Sequence, residues 1–172
     1  EVKEAVFDRV FIGDIDSKGN YSANRLNIDY ANSKNKEEII KSYGSVPLDL
    51  NLISEDFGRF FKYDSLDYHV IANLRSMLFL SPYITELDSV RGAVDIALSL
   101  SGPSSAIIRN GNITVNNSNV YTMLINNPLI NVDGSAVLSN NQLNIKYLNG
   151  ASLRKISNKK LEMLDNVSVT GS

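Results

Sequence analysis

Cysteine is absent from the chain, and so is tryptophan. Without a thiol there is no disulfide framework and no thiolate zinc site, although many exported proteins also lack cysteine, so the compartment stays open. An excess of either charge is missing too. Seventeen Lys and Arg stand against nineteen Asp and Glu, a net charge of −2, with no basic stripe for nucleic acid and no Lys/Arg cluster for an anionic membrane surface. Long apolar runs are missing as well. The longest, around Met77-Leu78-Phe79-Leu80, falls far short of a bilayer-spanning helix. The chain does not begin with Met and carries no signal sequence. It opens on a patterned segment, Val6-Phe7-Asp8-Arg9-Val10-Phe11, and closes on another, Val167-Ser168-Val169-Thr170. Both read as strands of a continuing sheet, so the expectation is a single piece of a longer protein, with any anchor or export signal outside it. Its 172 residues suffice for one domain with a core. The high Asn, Ile and Lys content reads as the mark of an AT-rich genome.

Motifs that carry chemistry are also lacking. His69 is the only histidine, and although Asp67 is near, no nucleophile elbow accompanies them. The expectation is an ordinary strand residue beside Tyr68. Asp14-Ile15-Asp16-Ser17-Lys18-Gly19 starts like a calcium loop, but Lys18 and Arg25 fall where the fifth and twelfth ligands belong. It reads instead as a hairpin turn. Asp64, Asp67, Asp88 and Asp95 are scattered acids without the pairing that acid/base catalysis needs. Gly102-Pro103-Ser104-Ser105 lacks the lysine of a phosphate loop. The Asn-x-Ser/Thr matches at Asn112 and Asn116 read as chance. No catalytic residue, metal site or cofactor is expected, and the chain reads as a non-enzyme.

What the sequence does contain is alternation with a period of two, the pattern of half-buried strands. Leu26, Ile28 and Tyr30 alternate with Asn27 and Asp29; Val46, Leu48, Leu50 and Leu52 with Pro47, Asp49 and Asn51. Val94, Ile96, Leu98 and Leu100 alternate with Asp95, Ala97, Ser99 and Ser101. Ile113 and Val115 flank Thr114, Ile130 and Val132 flank Asn131, and Leu143, Ile145 and Tyr147 alternate with Asn144 and Lys146. Each run has one apolar and one polar face. Ser17-Lys18-Gly19-Asn20, Asn110-Gly111, Asp133-Gly134, Asn140-Asn141 and Asn149-Gly150 read as the hairpin turns between strands. A weak repeat, Gly92-Ala93-Val94-Asp95-Ile96, Gly111-Asn112-Ile113-Thr114-Val115 and Gly134-Ser135-Ala136-Val137-Leu138, reads as a Gly turning the chain into a new strand. Three stretches interrupt the pattern. Ser33 to Tyr43 reads as a short helix or solvated loop, Ser54-Glu55-Asp56-Phe57 as a capped helix start, and Ser81-Pro82-Tyr83-Ile84 as another. The chain is therefore predicted to be mainly β. It reads as strands over residues 1–53, a helix-containing insertion over 54–90, and strands over 91–172, joined as an antiparallel meander with one to three short helices.

The stretch from Leu80-Ser81-Pro82-Tyr83-Ile84-Thr85-Glu86-Leu87-Asp88-Ser89-Val90-Arg91-Gly92 through Ala93-Val94-Asp95-Ile96-Ala97-Leu98-Ser99-Leu100-Ser101-Gly102 resembles the TamB family of the AsmA-like superfamily. So do Ile108-Arg109-Asn110-Gly111-Asn112-Ile113-Thr114-Val115, Ile130-Asn131-Val132-Asp133-Gly134, Leu138-Ser139-Asn140-Asn141-Gln142-Leu143-Asn144-Ile145, and the Gly-x-x-Pro-Leu strand at Gly44-Ser45-Val46-Pro47-Leu48. The sequence departs from the family at Ser104-Ser105-Ala106-Ile107-Ile108, where a second Pro and Gly are usual. The first forty residues share only the alternation. The resemblance implies a long sheet curled into an open groove with an aliphatic interior. It also implies a parent protein anchored in the inner membrane of a diderm bacterium and spanning the periplasm. Phospholipid acyl chains would be the ligand, and outer-membrane biogenesis with an Omp85-class barrel the wider task, as part of a translocation and assembly module.

Two readings of the apolar face follow. In one it is a lipid-conducting groove lined by Leu48, Leu50, Leu52, Val94, Ile96, Leu98, Leu100, Ile113, Val115, Ile130, Val132, Leu143 and Ile145. In the other the same residues are the closed core of a structural or adhesive β-solenoid or sandwich at a bacterial surface.

Overall fold

The computed structural model describes residues 1–7, 10–35, 38–51, 53, 59–61, 63–76, 87–122, 128–157 and 160–170. The chain is mainly β, as the alternation predicts. Its strands are β1 (Val2–Phe7), β2 (Val10–Ser22), β3 (Arg25–Asn35), β4 (Glu38–Pro47), β5 (Ser65–Ser76), β6 (Leu87–Pro103), β7 (Ile108–Thr122), β8 (Leu129–Ser139), β9 (Gln142–Ser157) and β10 (Lys160–Thr170). They are hydrogen-bonded in chain order in one open sheet, so β1 and β10 are its two edges. The pairings β1–β2, β2–β3, β3–β4 and β9–β10 are all antiparallel. No helix occurs among the described residues. The two short helices expected from Ser54 and Ser81 fall on stretches outside them. Ser33 to Tyr43, expected as helix or loop, is the end of β3 and most of β4, because its Ile40, Ser42 and Gly44 continue the period of two. The expected insertion over 54–90 carries β5 and the start of β6.

Two compact units are distinguished. One comprises residues 1–72, 97–111 and 139–142, the other residues 73–96, 112–138 and 143–172. In the first, cross-strand register sorts side chains into rows, since directly opposed residues of antiparallel strands share a face. One face carries the rows Tyr21–Leu26–Val46, Gly19–Ile28–Gly44, Ser17–Ala31–Ser42 and Ile15–Ser33–Ile40. The opposite face carries Ser22–Arg25–Pro47, Asn20–Asn27–Ser45, Asp16–Asn32–Lys41 and Asp14–Lys34–Ile39. The second set is tied by side chains. Arg25 Nε donates to Ser45 Oγ (2.9 Å), and Ser45 Oγ in turn to Asn27 Oδ1 (2.8 Å).

The register slips at Lys18/Gly19 against β3 and at Ile28/Ala31 against β4. Both slips fall at Asp29-Tyr30, a bulge in β3. One extra residue reverses the parity, so Ile28 and Ala31 share the apolar face although they are three apart, and Tyr30 opposes Lys18 on the other face. The expected run Leu26, Ile28, Tyr30 is therefore broken at Tyr30.

Four of the five expected hairpin turns lie inside strands. Ser17–Asn20 belongs to β2, Asn110-Gly111 to β7, Asp133-Gly134 to β8 and Asn149-Gly150 to β9. Only Asn140-Asn141 turns the chain, with φ of 49° and 68°, the left-handed pair of a two-residue hairpin. The β2–β3 turn is made by Ala23-Asn24, with φ of 48° and 57°. The glycines of the weak repeat, Gly92, Gly111 and Gly134, likewise sit within β6, β7 and β8 rather than at their starts. Asparagine supplies left-handed positions alongside glycine: Asn24, Asn117, Asn131, Asn140 and Asn141 all have positive φ, as do Gly13, Gly44, Gly92 and Gly102. Its abundance has a conformational use that composition alone does not reveal.

Candidate functional site

The apolar face is the candidate site. β5 shows most clearly how it is made. Leu66, Ala72 and Leu74 are buried, Tyr68 and Val70 are half-buried, and Asp67, Ile71, Asn73 and Arg75 between them are exposed. β6 repeats the arrangement. Val90 and Val94 are buried, Ile96, Leu98 and Leu100 are half-buried, and Arg91, Asp95 and Ala97 are exposed on the other side. On β7, Ile113 and Val115 are half-buried; on β8, Val132 is buried and Ile130 half-buried. Gly111 sits against the Ala97 carbonyl and the Leu98 backbone, which puts it on the face of Leu98 and Ile96.

The other expected lining residues are placed differently. β4 ends at Pro47, so the expected strand Val46–Leu52 stops there. Pro47 has no N–H for the ladder, and beyond it side chains bend the backbone: the Asn51 N–H donates to Asp49 Oδ1 (2.8 Å) and the Ile53 N–H to Asn51 Oδ1 (3.1 Å). Leu48 makes an isolated antiparallel bridge with Phe60, and Leu50 lies half-buried in the connection. Leu52 lies outside the described residues. Leu143 and Ile145 are on β9 but remain 56 % and 41 % exposed.

Sequence reasoning expected strand at Tyr68-His69, which lie in β5, but did not place Leu66, Ala72 and Leu74 of that strand on the apolar face, where they are among the most buried side chains. The signal was present, since Leu66, Tyr68, Val70, Ala72 and Leu74 stand at every second place. Ile71 and His69 between them obscure the polar half of the alternation.

Glycines recur on this face where strands come closest. Gly19 and Gly44 flank Ile28 in one row. A Cβ on Gly44 would strike the Asp67 carbonyl oxygen and lie 2.7 Å from Tyr68 Cα, and one on Gly92 would strike Ser118. At Gly150 it would meet the buried Val132 side chain at 3.1 Å. Glycine at such positions lets a strand bend toward the face from which the Cβ is missing.

Hydroxyls on the face are internally satisfied. Ser42 Oγ donates to the Ala31 carbonyl (3.2 Å), and the Tyr68 hydroxyl, across from Gly44, donates to Ser42 Oγ (2.7 Å). Ser118, fully buried, donates to the Asn116 carbonyl at 3.1 Å. Turned inward on the backbone, these groups add little polarity. The opposite face is less uniformly polar than the alternation predicts, since Tyr30, Ile39, Tyr43 and Ile71 are exposed there.

His69 lies in β5 on that opposite face. Its Nε2 is 3.1 Å from Asp67 Oδ1, and its ring stacks on Tyr43 with centroids 4.8 Å apart. Asp14-Ile15-Asp16-Ser17-Lys18-Gly19 is strand, not the expected turn, and Asp14 accepts from the Glu4 N–H (3.0 Å) and Lys3 Nζ (3.4 Å). Among the described residues no three His, Cys, Asp or Glu side chains gather as a metal site, and no helix is long and apolar enough to cross a membrane. Compared with family models, with curated proteins and with solved structures, the chain matches none of them.

Proposed function

We propose that this chain is a non-catalytic segment of a TamB-like, periplasm-spanning protein whose apolar sheet face shields phospholipid acyl chains. In this reading the parent protein is anchored in the inner membrane, carries lipid toward the outer membrane, and works with a barrel partner of the Omp85 class. The observation that carries the reading is the one-sided alternation of β5 and β6. Aliphatic side chains and Tyr68 hold one face and, apart from Ile71, polar, charged or small residues the other, while Ile96, Leu98, Leu100, Ile113 and Val115 are left only half-buried.

The physical requirement is continuity. Moving an acyl chain out of apolar surroundings costs about 0.8 kcal/mol per CH₂, so a path with gaps would place a barrier at each gap. Neighbouring strands lie about 4.8 Å apart, so a tail that runs across the strands meets a new aliphatic side chain at that interval. Glycines on the same face, with hydroxyls turned onto the backbone, allow the strands to bend around a tail without presenting polar groups to it.

Ile96→Asp tests the reading. The charge would stand among acyl chains if the face holds lipid, and among packed side chains if it is closed core. The expected result is a protein that melts within a few degrees of the wild type and no longer co-purifies with phospholipid. A protein that unfolds outright, from a wild type that carries no lipid, would remove the reading and favour the structural one.

A further inference from the structure

Strand β7 changes sides partway along. A Cβ on Gly111 would meet the Ala97 carbonyl and the Leu98 backbone, so Gly111 opposes Leu98. Steps of two then set Ile113 opposite Ile96 and Val115 opposite Val94, all on the apolar face. Further along, a Cβ on Gly92 would meet Ser118, whose side chain is fully buried, so Gly92 opposes Ser118. Unbroken steps of two from Val115 would instead bring Asn117 to Gly92. β6 keeps its own parity here, since Val90 and Val94 on either side of Gly92 are both buried. One extra residue therefore lies in β7 between Val115 and Ser118.

That residue is Asn117. Its φ is 44°, left-handed within a strand, as at a bulge. Its N–H donates to Asp133 Oδ1 (2.9 Å). Asp133 is exposed on β8 between the buried Val132 and Gly134, so its carboxylate reaches the bulge from the polar face. The same device recurs near the start of the chain. Glu4, with φ of 51° at a register slip in β1, donates its N–H to Asp14 Oδ1 of the next strand (3.0 Å). A carboxylate accepts an N–H more strongly than a carbonyl does, so it can hold a backbone conformation that L-residues otherwise avoid.

The consequence falls on the apolar face. Unbroken alternation beyond Val115 would turn Asn117 and Asn119 to that face. With the bulge, Ser118 and Val120 take their places, and the Ser118 hydroxyl is turned onto the Asn116 carbonyl. We propose that Asp133 is a positioning residue for this face: by holding Asn117 left-handed, it keeps two asparagine amides out of the aliphatic path. The inference deepens the proposed function and rests on it for what the face holds, while the pairing itself can be read without lipid.

The chain has no cysteine, so two engineered ones report register without background. Directly opposed residues of antiparallel strands lie within disulfide reach. Val90 opposes Val120 with the bulge and Asn119 without it. Val90→Cys is therefore combined with Val120→Cys or with Asn119→Cys, and closure under mild oxidation is measured by mass spectrometry. The wild-type background and Asp133→Asn, which keeps an acceptor oxygen, are expected to close the Val90/Val120 pair. Asp133→Ala is expected to close the Val90/Asn119 pair in its place. Adding Asn117→Gly, which holds positive φ unaided, should return closure to Val120. Deleting Asn117 removes the extra residue, so the Val90/Val120 pair should still close, and Asp133→Ala should then change nothing. Closure of Asp133→Ala at Val120 as complete as in the wild type would overturn the proposal, and so would a deletion that no longer closes there. If Asp133→Ala does not fold, the deletion decides alone, and loss of its closure on adding Asp133→Ala overturns the proposal. Phospholipid is assayed in the same preparations. Closure as expected in a protein that carries no lipid would end the lipid reading and leave the role of Asp133 standing.

Discussion

Gly44→Ala is expected to be among the most damaging single-methyl changes in the chain. Gly44 has φ of +140°, a backbone region that is almost exclusively glycine's, and a Cβ there would strike the Asp67 carbonyl oxygen and lie 2.7 Å from Tyr68 Cα. Both obstacles are backbone, so no side chain can rotate away. Strained φ costs about 1–3 kcal/mol and overpacking about as much. One local shift relieves part of both, so the expected loss is about 3 kcal/mol, less than their upper sum. For a chain of this size that lowers the melting temperature by about 6–12 °C. Two further variants separate the causes. Gly102→Ala weights φ over the clash, since φ is +94° and the nearest atom, the Ala106 carbonyl oxygen at 3.2 Å, need give only a few tenths of an ångström. Gly19→Ala tests the clash alone, against the Asn27 carbonyl oxygen, because its φ is not left-handed. Each should cost about 1–2 kcal/mol. The assay is thermal unfolding followed by far-UV circular dichroism. Gly44→Ala melting within about 1 °C of the wild type would refute the reasoning, because β4 and β5 would then not approach each other as closely as this.

Ala23→Gly should stabilise the chain by about 0.5–1 kcal/mol, since relief of a left-handed alanine outweighs glycine's added entropy in the unfolded chain; a denaturant midpoint no higher than the wild type's would contradict it. Asp14 is held below the ordinary carboxylate value of 3.8, first by the Glu4 N–H and then by Lys3. Its contribution to the docking of β1 is therefore full above 3.8 and is lost as the pH falls through the lower folded value. The protection factor of the Glu4 amide, taken against the intrinsic exchange rate at each pH, should fall in that window and should stay constant across it in Asp14→Asn. A protection factor that stays constant across the window in the wild type would rule the contact out. Ile96→Asp should abolish lipid co-purification while leaving the melt within a few degrees, as set out above.

The class of fold was legible because burial on one face of a strand writes a period of two into the sequence, as at Val94, Ile96 and Leu98. Strand limits were less legible. Gly19, Gly111, Gly134 and Gly150 read as turns because glycine relieves positive φ in tight hairpins, yet in this sheet most glycines relieve close approach between strands. That approach depends on the neighbouring strand and leaves no local mark. The β2–β3 turn was missed for the converse reason, since Ala23 is a poor left-handed residue and only Asn24 hints at it. Bulges at Asp29-Tyr30 and at Glu4 change which face a residue occupies without changing composition, which is why Tyr30 was assigned to the wrong face. The one-sided burial along β6 was readable from alternation alone. Leu48 and Leu50 were misread because Pro47 and the Asx bonds after it turn a continuing alternation out of the sheet.

Site-specific photo-crosslinking in living cells at consecutive positions of β6, above all Ile96 against Ala97, tests most directly the proposal that this face holds lipid. Ile96 shares its side of the strand with the buried Val94, and Ala97 is exposed on the other. The expected result is phospholipid adducts at Ile96 and none at Ala97. Adducts at neither position, or at both alike, would contradict a one-sided lipid path and leave that face as the packed interior of a structural protein.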